Sequence, residues 1–98
     1  MLFHVEWEFI DTSEDGEKRS LEVFSRWQPP EGTDFQEFYG YADGTGGFAI
    51  VEADTAAALA QATSPFVPWL RFTAKVILPI QDSAEIAGSG IAFREASG

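Results

Sequence analysis

His4, Glu6 and Glu8 occupy every second position near the start of the chain, and Arg71, Thr73 and Lys75 repeat that spacing near residue 70. Together they are groups able to bind an ion, move a proton or anchor an anion. A two-residue spacing puts side chains on one face of a strand, about 7 Å apart. What these groups can do depends on whether the two strands are neighbours and on what covers their shared face.

The elements that must position them follow from hydrophobic patterning. From Leu2 to Ile10, Phe3, Val5, Trp7 and Phe9 alternate with His4, Glu6 and Glu8, which predicts a strand covered on one side only. Asp11, Thr12 and Ser13 are helix-capping residues. Beyond them Leu21, Phe24 and Trp27, widened by Val23, form the apolar stripe of a helix that starts near Glu17, because Gly16 weakens the first turn. Pro29 and Pro30 require it to stop by Gln28. Phe35 to Ala42 then alternates Phe35, Glu37, Tyr39 and Tyr41 against Gln36 and Phe38. The glycine-rich run Asp43–Gly47 reads as a hairpin turn into a short strand, Phe48–Glu52. Asp54 or Thr55 caps an alanine-rich helix, Ala56 to Ala62, anchored by Leu59, and Pro65 ends it. The last strand, Leu70 to Ile80, directs Leu70, Phe72, Ala74, Val76 and Leu78 one way and Arg71, Thr73, Lys75 and Ile77 the other. After Pro79 the glycines at 88 and 90 oppose a helix, so 81–98 is expected to be a weakly structured tail.

The order strand, helix, strand, strand, helix, strand predicts a single α+β domain over residues 1–80. This is a ferredoxin-like βαββαβ sandwich, a four-stranded antiparallel sheet with two helices on one face. In that topology the first strand is central and the last is its antiparallel neighbour. His4 and Glu6 then share the uncovered face with Arg71 and Lys75. Phe48, Ile50 and Glu52 join them if Ala49 and Val51 meet the helices, and Trp69 either packs or lines an opening. Three uses of this patch are open. It is a set of cross-strand ion pairs, such as Glu6 with Arg71 or Lys75. It is a pocket for a small organic molecule, with Arg71 and Lys75 holding an anionic group. Or His4, Glu6 and Glu52 form a metal or acid/base site. Exposed apolar residues on the same face, Phe48, Ile50, Ile77 and the tyrosines, predict a homodimer that packs the sheet faces together.

Composition excludes several functions. Sixteen acidic residues against six Lys and Arg give a net charge of −10, which opposes binding to nucleic acid or anionic lipid. With no cysteine in the chain, disulfides, thiolate chemistry and cysteine-ligated metals are excluded. With one histidine and no Gly-x-Ser-x-Gly motif, no hydrolase relay is recognisable. Nor is Gly44-x-Gly46-Gly47 a phosphate loop, since no lysine or helix start follows it. No metal and no cofactor are expected. No signal-peptide pattern is present and no apolar run approaches the ~18 residues of a membrane span, so a cytoplasmic location is expected.

Several short motifs also occur in a recognisable order. They are Met-Leu-Phe-x-Val-Glu-Trp at the start, Trp27-Gln-Pro-Pro-Glu-Gly32, Asp43-Gly44-x-Gly46-Gly47-Phe48-Ala49-Ile50-Val51-Glu52-Ala53-Asp54, and Pro65-Phe66-x-Pro68-Trp69. In these the chain resembles the family called domain of unknown function 3303, from residue 1 to about residue 80. The resemblance implies a ferredoxin-like fold of the dimeric α+β barrel kind, and it carries over no catalytic residue. Two functional classes follow. One is a small homodimeric domain with a small-molecule cavity on the sheet face. The other is a cofactor-independent enzyme, monooxygenase- or isomerase-like, acting on an aromatic or enolic substrate in the barrel.

Overall fold

The structure, a computed structural model, describes residues 1–98. The elements run β1 (Leu2–Phe9), α1 (Glu14–Arg26), β2 (Thr33–Gly40), β3 (Gly46–Ala53), α2 (Ala56–Thr63), a 3-10 turn (Ser64–Phe66), β4 (Leu70–Val76) and α3 (Ile80–Ala96). The four strands form one antiparallel sheet in the order β2-β3-β1-β4. This is the predicted βαββαβ arrangement with a third helix added at its C-terminal end.

Alternation in β1 decides the layering. Phe3 and Val5 are buried beneath the helices with Ala49, Val51, Ala53 and Leu59. Register carries this choice across the sheet, because directly paired residues share a face. Val5 pairs with Ala49 and Ala74, and Trp7 with Phe72, all on the helix side. His4 pairs with Ile50 and Lys75 on the open side, and Glu6 pairs with Phe48 and Thr73.

Five expectations need correction. Ser13 caps α1 by accepting from the Gly16 amide, so the helix begins at Glu14 rather than Glu17. In the turn, Gly44 takes the left-handed conformation (φ 77°), whereas Gly46 and Gly47 are buried strand residues of β3. β2 carries a bulge between Phe35 and Glu37. One extra residue inverts the alternation, so Phe35, opposite Val51, and Phe38, opposite Ala49, both face the helices. β4 ends at Val76, although Ile77 still donates to the Leu2 carbonyl. Finally, where a weakly structured tail is expected over 81–98, the chain forms the 17-residue α3, none of whose residues is buried.

The two covering helices sit at different heights. Seven of the eight residues of α2 are alanine, leucine or threonine, and its backbone comes close to β2 and β3. Leu59 and Ala62 are its buried contacts. No strand approaches α1 as closely, and its near neighbour is the 3-10 turn. The residues that α1 buries are Gly16 and Ser20, too small to reach the sheet. The expected stripe is only partly covered: Leu21 remains 60% exposed and Phe24 48%.

Candidate functional site, an aromatic cavity beneath the first helix

The gap under α1 is a cavity of about 860 Å³. Its floor is the helix side of the sheet, with Val5, Trp7, Phe35, Phe38, Ala49 and Phe72. Phe24 and Trp27 hang from α1, and Phe66 closes the end beside α2. These rings brace one another. Trp7 and Phe38 meet edge to face at 5.4 Å, as do Trp27 and Phe35 at 5.2 Å, and Phe24 stacks on Trp27 at 6.0 Å. The Trp27 indole also donates from Nε1 to the Ala62 carbonyl at 3.1 Å, tying the end of α1 to α2. The volume falls within the range of small-molecule sites, which are typically apolar with few polar anchors.

The polar groups of the cavity are Asp11, Thr12, Glu17, Ser20 and Thr63. Asp11 sits where β1 passes into α1. Its Oδ1 accepts from the Ser13 hydroxyl at 2.6 Å and from the Ser13 amide at 2.9 Å. Those bonds, the hydroxyl's foremost, hold its carboxyl below the ordinary aspartate value. Gly16 makes the arrangement possible, since a side chain there would collide with the Asp11 carboxylate. The rim is therefore anionic and the interior apolar. The lining includes no histidine, lysine or arginine.

None of the eight residues singled out from the sequence lines this cavity. His4, Glu6, Phe48, Ile50, Glu52, Arg71 and Lys75 lie on the opposite, open face of the sheet, as their register requires. There His4 stacks on Phe48 at 5.4 Å, and Tyr39 and Tyr41 pack against the same ring at 5.6 and 6.2 Å. Glu6 accepts a hydrogen bond from the Tyr41 hydroxyl at 2.5 Å rather than pairing with Arg71 or Lys75. Glu52 pairs with the amino group of Met1 at 2.7 Å. No three histidine, aspartate or glutamate side chains converge as a metal ion would need. Trp69 joins neither site: its amide donates to the Phe66 carbonyl and its own carbonyl accepts from Ile10, holding the start of β4.

The aromatic wall is what sequence reasoning missed. Trp7 and Trp27 read as core, and Phe35 and Phe38 appeared to face opposite ways. A signal was present in α1: Gly16 and Ser20 sit one turn apart on its inner face, where a packed helix would place large apolar residues.

Residues 1–91 match the family described as domain of unknown function (DUF3303). The chain belongs to this family. The match extends past residue 80 and takes in α3 as far as Ile91, so most of the helix lies within the matched region. No curated protein matches the chain. No helix is long and apolar enough to cross a membrane.

Proposed function

We propose that this member of the family is a small homodimeric domain that binds a compact, largely apolar organic molecule in the cavity beneath α1. The observation that carries the reading is a cavity of about 860 Å³ walled by interlocked aromatic rings and rimmed by carboxylates. Burying apolar ligand surface there contributes about 25 cal/mol per Å² before the cost of association. The carboxylates of Asp11 and Glu17 in the lining disfavour anions and suit a ligand ending in an amine or hydroxyl. The lining offers no imidazole, amine or thiol as a catalytic base or nucleophile, which favours binding over turnover. The second copy covers the open sheet face, enclosing His4, Glu6, Phe48, Ile50, Glu52, Arg71 and Lys75.

An amine-tipped fluorescent aromatic, 2-aminoanthracene, tests the cavity. Trp7 and Trp27 line it and should transfer energy to the bound probe, with saturable binding in the micromolar range. Ser20→Phe, which places a ring in the gap, should weaken binding at least tenfold, whereas Thr73→Ser on the open face should leave it unchanged. Absence of saturable binding to the parent protein, or equal affinity in Ser20→Phe, would overturn the reading.

A further inference from the structure

The open sheet face and α3 are each incomplete alone. α3 buries no residue, and Ile80 and Phe93 are 81% and 74% exposed. Helical geometry gives it apolar groups on two sides. Ile80, Ala84, Ala87 and Ile91 fall along one side, and Ile86 and Phe93 one heptad apart along the other. A helix apolar on more than one side is normally buried. With Gly88 and Gly90 inside it, 17 residues would also be a marginal helix in water without packing. The whole chain exposes 6935 Å², whereas a compact monomer of 10.8 kDa exposes about 5,500 Å². The excess exceeds the ~800 Å² that each partner buries in a stable interface.

Charge points to where the helix goes. On the open face, the β4 side carries Arg71 and Lys75, neither of which has an ion-pair partner. α3 carries Asp82 and Glu85 in its first half, also without ion-pair partners, while its last turn balances Arg94 with the adjacent Glu95. Asp82 falls on the same side of the helix as Ile86 and Phe93, so an acid and both large apolar groups can meet one surface.

We infer that α3 is an exchanged arm, which each copy of this chain lays across the open sheet face of a second copy. Asp82 and Glu85 then meet the partner copy's cations, and Ile86 and Phe93 cover the ring cluster of Phe48, Tyr39 and Tyr41. This rests on the homodimer proposed above and identifies what covers the sheet. On this arrangement the acids of α3 occupy Arg71 and Lys75, in place of the anionic ligand that is one of the three uses read from the sequence.

The chain has no cysteine, so two single-cysteine proteins give a clean test. Phe93→Cys and Ile50→Cys, mixed and mildly oxidised, should yield a disulfide-linked heterodimer at least tenfold faster than either alone. In the full chain, Ile86→Glu with Phe93→Glu should convert the dimer expected in light scattering to a monomer that keeps its near-ultraviolet circular dichroism and loses at most the far-ultraviolet helical signal of α3. Binding of 2-aminoanthracene should persist, because its cavity lies within one chain. A variant that remains dimeric, with no preferential cross-link in the mixture, overturns the exchanged arm but leaves the homodimer standing. A parent chain monomeric at 50 µM overturns both, and loss of probe binding by the parent overturns the cavity alone.

Discussion

The six-membered ring of the Trp7 indole occupies the space in which a side chain on Gly47 would stand. The two residues pair across β1 and β3, and a methyl group at Gly47 would strike both the ring and the Tyr39 carbonyl. Gly47 thus admits an indole to the cavity floor, which is why a buried strand residue is glycine. Gly47→Ala should destabilise the domain by about 1–3 kcal/mol, the usual cost of overpacking a closed interior. Thermal denaturation checks this. A melting temperature unchanged in Gly47→Ala would mean that Trp7 does not rest there.

Ser13 acts twice, accepting from the Gly16 amide at the start of α1 and donating to Asp11. Ser13→Ala should cost about 1 kcal/mol through loss of the helix cap. It should also return the Asp11 carboxyl toward its ordinary value, since the Ser13 hydroxyl is the chief cause of its lowering. A depressed folded-state value means stabilisation that is present above the unfolded carboxyl's titration and lost as pH falls through the folded one. Carboxyl titration by NMR in the two proteins should show Asp11 shifted upward in Ser13→Ala.

Tyr41 and Tyr39 should both titrate above the ordinary tyrosine value. Glu6 accepts a hydrogen bond from the Tyr41 hydroxyl and its charge opposes the phenolate, and Glu37 acts on Tyr39 in the same way. A raised folded-state value means a contribution that is complete below the unfolded tyrosine's titration and lost as pH rises through the folded one. Tyrosinate absorbance should therefore develop later than in the unfolded chain. Glu6→Gln should bring Tyr41 down and leave Tyr39 raised, and a single unshifted titration in the parent protein would contradict the hydrogen bonds.

Much of the fold was legible because its rules are local. Phe3, Val5 and Trp7 alternate with His4, Glu6 and Glu8, and one side of such a strand must be covered whatever the rest of the chain does. Pro29, Pro30 and Pro65 end the helices before them through their own missing amides. The open-face set was placed correctly for the same reason, since register follows from alternation once β1 is central. The bulge at Gln36 was not legible. Nothing in its neighbours distinguishes a regular β2 from one shifted by a residue, and only pairing with β3 reveals it.

From sequence alone came the strand order, the covered sides of β1, β3 and β4, the acidic surface and the want of a nucleophilic or metal-binding motif. Tertiary structure decided where the cavity is and whether the tail is helical. Both depend on distances between segments far apart in the chain. α1 stands off the sheet because Gly16 and Ser20 face it while Phe24, Trp27 and Phe66 prop the far end. That separation is a balance of packing among side chains from six elements, and periodicity along one segment carries no record of it.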